Sequence, residues 1–305
     1  MTATVLVIGP HGVAGGAITR RLAADADWQV ITASRRGVPE GLDVEHLAVD
    51  LLDPVSLAGA SSLAGVTHVI YAAYTARASM AEMTAPNLAM LTHTLDGLKA
   101  AGAPVEQVVL IGGGKSYGAH LGAYKTPAKE PDPRFLGPIF YNDQEDLLAA
   151  RAARDGFSFT VLRPDVVIGF SLGSPMNLLG AIGVYAALSR AEGVPLRFPG
   201  TSGTWSVLHQ FTDADLLAAA VQWALTADTA RGEVFNVLNG DQFRWEHLWP
   251  DLATIFEMPT APPQPMRLTD QMVDKEPLWD ALVARHRLRP TAYHQIAAWD
   301  FADGV

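Results

Sequence analysis

The apolar run Thr4-Val-Leu-Val-Ile8 leads straight into Gly9-Pro-His-Gly12-Val-Ala-Gly15, and this junction constrains the fold more than any other stretch of the chain. Glycines at this spacing let the backbone turn tightly and bring an anion onto the N-terminus of the following helix, where free N–H groups and the helix dipole attract negative charge. Because the chain holds 27 glycines, the spacing alone means little. Its position directly after an N-terminal strand is what predicts a βα unit that cradles a dinucleotide pyrophosphate. Gly9, His11, Gly12, Val13 and Gly15 are the candidate contacts in this loop. His11 stands where a small hydroxyl residue is commoner, and no catalytic role is expected of it.

Apolar runs alternate with helix-period segments through the first half, the pattern of βαβ units and a parallel sheet. Strands are expected over 5–8, 29–34, 44–49, 68–73, 107–111 and 158–162, with a seventh over 234–238. Helices are expected over 12–25, 87–101, 142–155 and 213–226. Tyr117 to Pro138 holds four prolines and no periodicity, which predicts a long loop on the active-site side. After Gly169 the composition shifts toward Pro, Trp and Met. The fold class is therefore α/β: a Rossmann-type doubly wound parallel sheet with a smaller, mainly helical C-terminal substrate lobe. The expected division gives residues 1–170 to an NADP-binding Rossmann domain, with 205–240 returning to it, and 171–204 and 241–305 to the lobe.

Bulk composition removes several function classes. A net charge of −10 disfavours a nucleic-acid or anionic-membrane surface. No cysteine is present, so disulfides, thiolate catalysis and thiolate metal sites are excluded, and no metal is expected. The first strand begins too early and too apolar for a basic leader peptide. The most apolar internal stretch, 178–188, is shorter than the roughly 20 residues a bilayer crossing needs. A cytoplasmic protein, with a homodimer allowed, is the expectation.

Strand two ends Thr32-Ala-Ser34-Arg35-Arg36-Gly37. A carboxylate at this strand end would accept from an adenosine ribose 2′-hydroxyl, whereas arginine pairs with a 2′-phosphate. Ser34, Arg35 and Arg36 without a carboxylate therefore point to NADPH rather than NADH. Asp50, followed by Leu51 at the end of strand three, is placed to accept from the adenine amino group. Ala72, Ala73 and Tyr74 after strand four would line the other side of the cofactor.

Strand five closes as Gln107-Val-Val-Leu-Ile-Gly112-Gly-Gly-Lys115, and Tyr141 opens the helix Phe140-Tyr-Asn-Asp-Gln-Glu-Asp146. Ordinary short-chain dehydrogenases carry Tyr-x-x-x-Lys on one helix, the lysine lowering the tyrosine pKa and holding the nicotinamide ribose. Here none of the seven tyrosines is followed four positions later by lysine, and Tyr141 is followed by Glu145. A phenol of pKa about 10 becomes a useful acid or anion-holder when a cation or hydrogen bonds stabilise its ionised form. Lys115, directly after Gly112-Gly-Gly114 at a sheet edge where ligands bind, is the expected cation, acting across from strand five rather than along the helix.

At these residues the chain resembles the progesterone 5β-reductase and iridoid synthase family of atypical, extended short-chain dehydrogenases/reductases. The resemblance rests on Gly113-Gly-Lys115-Ser-Tyr117, Phe140-Tyr141-Asn-Asp-Gln-Glu145-Asp146 and Leu162-Arg163-Pro-Asp-Val-Val-Ile-Gly-Phe-Ser171. Pro195-Leu-Arg-Phe-Pro-Gly200, Phe235-Asn-Val-Leu-Asn-Gly240-Asp241 and Trp299-Asp-Phe-Ala-Asp303 extend it toward the C-terminus. The resemblance implies an oxidoreductase that reduces a C=C bond conjugated to a carbonyl with NADPH. It carries the family's lysine onto Lys115 and its tyrosine onto Tyr141, and matches Val167 and the segment with Ser174 and Met176 to positions near the nicotinamide and phosphates. The chain departs from the family pattern at Ser116, at Ala119-His120-Leu121 and at Asn142. Plant relatives continue past the position of Val305 with an aromatic-rich tail over the substrate pocket. Steroid or iridoid specificity is therefore not carried over.

The expected activity is 1,4-hydride addition to a small apolar enone or aldehyde, with Tyr141 and Lys115 holding the enolate oxygen. Tyr117, Leu121, Phe170 and Trp205, together with Met176 and Trp279, are candidates to line the substrate pocket, although such residues are more often plain core. The alternatives are NADPH-dependent carbonyl (1,2-) reduction or other extended short-chain dehydrogenase chemistry, and a non-catalytic NADP-sensing protein.

Overall fold

A computed structural model describes residues 2–305. Five elements open the chain: β1 (Ala3–Ile8), α1 (Val13–Ala23), β2 (Trp28–Ser34), β3 (Glu45–Ala48) and β4 (His68–Tyr71). They are followed by α2 (Met80–Ala100), β5 (Gln107–Ile111), α3 (Phe140–Asp155), β6 (Ser158–Pro164), β7 (Val166–Ile168), α4 (Leu178–Ala191), β8 (Leu196–Arg197), α5 (Ser202–Ser206) and β9 (Phe211–Asp213). The last long elements are α6 (Ala214–Thr226), β10 (Glu233–Val237) and α7 (Trp245–Ile255). No helix among the described residues is long and apolar enough to cross a membrane.

Seven strands form one sheet in the order β10-β6-β5-β4-β1-β2-β3, and every neighbouring pair is parallel. A parallel sheet has helices on both faces, so its central strands read as unbroken apolar runs. Val5 to Ile8 of β1 are fully buried, as are Val108 to Leu110 of β5. Leu6, Ile8, Ile31, Tyr71, Leu110 and Val161 from five strands meet Leu91, Leu95 and Leu98 of α2 in the main core. The order 3-2-1-4-5-6 reverses between β1 and β4, and the carboxyl ends of strands beside such a switch point are where this fold class takes its ligands.

One helix differs from the sequence reading. Helix α2 begins at Met80, not near Asn87, and runs through Pro86. The helix starts at a cap that the expected bounds leave out: the Ser79 side chain accepts from the Glu82 N–H, the Ser-x-x-Glu pattern of a helix start. Asn87 lies inside the helix and is fully buried. Its amide donates to the carbonyls of Thr75 and Met83 and accepts from the Thr75 N–H, pinning the segment after β4.

Two compact units emerge. One covers the described residues up to Asp165 with Asp213–Val237, the other Val166–Thr212 with Leu238–Val305. In the second, Phe198 packs against Trp205, Trp245 and Trp249 with ring centroids 5.1–5.5 Å apart. Residues 205–212, assigned from sequence to the Rossmann part, thus contribute Trp205 and Phe211 to the lobe's own aromatic core.

Candidate active site

The turn between β1 and α1 cannot be built from other residues. Gly9 has φ +85°, and a Cβ on it would stand 2.7 Å from the Ala72 carbonyl oxygen at the end of β4. A Cβ on Gly15 would stand 2.1 Å from the Gly9 oxygen. Gly12 differs: a Cβ there meets nothing nearer than 3.7 Å. The fold itself does not crowd that position. Gly12 is also the N-cap of α1; no side chain caps the helix, and its first turn has no carboxylate. An uncapped N-terminus beside a glycine turn suits a dinucleotide's pyrophosphate by both hydrogen bonding and dipole.

The β2 end is drawn against this turn. The His11 ring bonds the Gly37 carbonyl at 2.9 Å, and the Arg36 guanidinium donates to the His11 carbonyl at 3.3 Å. The Ser34 hydroxyl donates to the Arg36 carbonyl at 3.0 Å. Arg35 and Arg36 are exposed. Burial and the neighbouring Arg36 charge hold the His11 imidazole below its ordinary pKa, so it is neutral at pH 7. Asp50 is exposed and accepts from the Leu52 N–H at 3.1 Å, while Leu51 is buried and its carbonyl bonds His93. Ala72 closes on Gly9, Ala73 packs on the main core, and the Tyr74 ring stacks on Phe140 at 5.6 Å with its hydroxyl donating to Met83 sulfur.

The glycine triplet after β5 carries the chain across the start of α3. A Cβ on Gly112 would touch Arg163 and Glu145 at 3.5 Å, and one on Gly113 would stand 3.1 Å from Cε2 of Tyr141. Gly114 opens a 3₁₀ turn, Gly114–Tyr117, that packs on α3. Lys115 is therefore two residues from a glycine whose missing Cβ leaves room for the Tyr141 ring. Both side chains are half-buried. Among the described residues neither the lysine amine nor the tyrosine hydroxyl has a hydrogen-bond partner. Burial lowers the Lys115 pKa, and burial with the Tyr74 phenol raises that of Tyr141. Tyr141 is consequently a neutral donor.

Ser116 is fully buried with its hydroxyl unpartnered, and His120 packs edge-on against Phe135 at 5.6 Å, its pKa lowered by burial and by Lys115. Leu121 is exposed. The Tyr117 hydroxyl donates to Asn236 and receives from Arg163, both at 2.8 Å. Arg163 and Glu145, a buried ion pair beside it that the exposed Arg134 joins from outside, were not singled out as functional residues from sequence. The Tyr141-to-Glu145 spacing was the available signal.

In the lobe, Val167 lies in β7, Phe170 is exposed, and the buried Ser174 accepts from the Met176 N–H. Trp279 is core: it is buried among Val184, Leu188 and Tyr293, and its indole donates to Thr291. The lobe encloses a cavity of about 470 Å³ walled by Tyr185, Phe198, Trp245, Trp249 and Met266. The Tyr185 hydroxyl and the Trp249 indole donate to backbone carbonyls, leaving apolar ring faces to the cavity.

Strand order and glycine turn together define a Rossmann-type fold. The solved structures agree at the level of fold. A UDP-glucose 4-epimerase of Thermotoga maritima superposes with a TM-score of 0.69 at 19% identity, over 86% of each chain. An RMD protein of Pseudomonas aeruginosa, solved with NADPH, gives 0.68 at 24% identity over 88% of this chain and 86% of its own. A family model for the PRISE-like Rossmann-fold domain matches residues 15–298, and the chain belongs to that family. Its curated relatives include the (S)-8-oxocitronellyl enol synthase ISY2 of Nepeta racemosa, 34% identical over 98% of this chain and 80% of the relative. The (S)-8-oxocitronellyl enol synthase CYC2 of Camptotheca acuminata is 33% identical over 98% and 82%.

Proposed function

We propose that this chain is an NADPH-dependent reductase of C=C bonds conjugated to a carbonyl. The observation that best supports the reading is the closeness of Tyr141 to Gly113, where an added Cβ would stand 3.1 Å from Cε2 of the ring, with the Lys115 turn packed on α3. Membership of a family whose curated members are named as enol synthases supports it.

NADPH would supply the hydride, held by the α1 N-terminus and the glycine turn at its pyrophosphate and by Ser34, Arg35 and Arg36 at its 2′-phosphate. The Tyr141 hydroxyl donates a hydrogen bond to the substrate carbonyl, and strengthens that bond as the oxygen gains negative charge during addition at the β-carbon. One such donor contributes about 3–4 kcal/mol to the barrier. The Lys115 ammonium adds a positive charge to the same region; its partial desolvation makes that charge count for more than it would in water. The α-carbon then takes a proton from solvent, so no second acid is required. Steroid and iridoid specificity are not part of the proposal.

The test is turnover of 2-cyclohexen-1-one and of a small unsaturated aldehyde with NADPH, with product identification. A saturated carbonyl product is expected. An allylic alcohol would transfer the assignment to carbonyl reduction. NADPH binding without turnover across enones and aldehydes would favour a sensor.

A further inference from the structure

The position four residues after Tyr141, where ordinary members of the superfamily hold their lysine, carries a buried carboxylate. Glu145 is 3% exposed and accepts a two-pronged bond from Arg163, Nε to Oε1 at 2.8 Å and a terminal nitrogen to Oε2 at 2.6 Å. Arg134 donates to the same Oε2 at 2.7 Å and to Asp146 at 2.7 Å. Arg163 is also 3% exposed. Its remaining terminal nitrogen donates to the Tyr117 hydroxyl at 2.8 Å, and its guanidinium lies 5.1 Å from the Tyr117 ring centre. The Tyr117 hydroxyl donates onward to the Asn236 side chain, whose backbone N–H is held by Glu130 at 2.8 Å.

The cluster therefore runs from α3 through β6 to the Lys115 turn and ends on β10. Its members Glu145 and Tyr117 lie one helical turn from Tyr141 and two residues from Lys115. A buried ion pair recovers little more than its desolvation cost, so stability is a poor reason for building one. A fork-to-fork arginine–carboxylate pair fixes distance and plane together, which lysine cannot do.

We propose that Glu145, Arg163 and Tyr117 are positioning residues: a clamp that sets the Lys115 turn against the Tyr141 helix, so that the carboxylate at the superfamily's lysine position serves geometry. The proposal rests on the assignment of Lys115 and Tyr141 as the reacting pair.

Tyr117→Phe is the cleanest probe, because it keeps the ring over Arg163 and removes only the hydroxyl. The full chain is assayed for enone turnover, enone KM, NADPH Kd and melting temperature. The expected result is a kcat loss of about tenfold, the scale of a sub-ångström misplacement, with KM and Kd within twofold. In a Tyr141→Phe background the same substitution should cost nothing further. Arg163→Lys should lower kcat by at least as much at the pH optimum, although the charge is kept. Glu145→Gln is the harsher version, and if it fails to fold the other two variants carry the test. Wild-type kcat in a folded Tyr117→Phe protein would overturn the clamp. So would equal losses in the wild-type and Tyr141→Phe backgrounds, which would mean a general structural role. Undiminished turnover by Tyr141→Phe alone would overturn the underlying assignment instead.

Discussion

Gly113→Ala is the smallest change that moves Tyr141 without touching it. The backbone at Gly113 has φ 178°, an extended conformation open to any residue, so alanine brings no backbone strain. Its methyl would stand 3.1 Å from Cε2 and 3.5 Å from Cζ of Tyr141. Relieving that contact displaces the ring by about 0.3–0.5 Å, given optimal carbon–carbon separations of about 3.5–4.0 Å. If a 1 Å error costs about 10²-fold, this shift costs kcat about 4- to 10-fold. Stability should hardly change. Overpacking costs about 1 kcal/mol, and the loss of glycine's freedom in the unfolded chain returns about 0.4–1 kcal/mol. Melting should stay within about 3 °C of the parent. The assay is steady-state enone turnover with NADPH affinity measured separately, in wild-type and Tyr141→Phe backgrounds. The loss should appear only where the hydroxyl is present. Unaltered kcat, or the same loss in both backgrounds, would refute the claim that Gly113 positions Tyr141.

Replacing Arg35 and Arg36 with alanine should weaken NADPH binding about 10- to 100-fold, the scale of charge-assisted bonds to a phosphate, and leave NADH binding nearly unchanged; titration of each cofactor checks it. The pH profile should separate the two reacting side chains. Because the Tyr141 pKa is raised, its donor form is fully present below the ordinary phenol value of about 10 and is lost only as pH climbs through the higher folded value. The Lys115 pKa is lowered, so its charge is lost first as pH rises. The alkaline limb of turnover should therefore follow Lys115, and move to higher pH in Lys115→Arg. A limb that stays in place in that variant would contradict the assignment.

Much of the fold was legible because buried parallel strands leave long apolar runs, as Thr4 to Ile8 and Gln107 to Ile111 do, and because Gly9 and Gly15 occupy positions that admit no side chain. Lys115 and Tyr141 stood out by the absence of lysine at position 145. What was not legible depends on contacts distant in sequence. The Glu145–Arg163 pair spans 18 residues and the Tyr117–Asn236 bond 119, and neither leaves a local pattern. The first two turns of α2 fell outside the expected helix, because its start is marked only by the Ser79 side-chain cap. Trp279, a lining candidate of a kind more often found in plain core, is buried against Val184 and Leu188.

The most direct measurement uses NADPH deuterated at its transferable C4 hydrogen, with 2-cyclohexen-1-one as substrate and the product's label located by NMR. The account predicts cyclohexanone with deuterium at C3, the former β-carbon. Deuterium on the carbinol carbon of an allylic alcohol would contradict it.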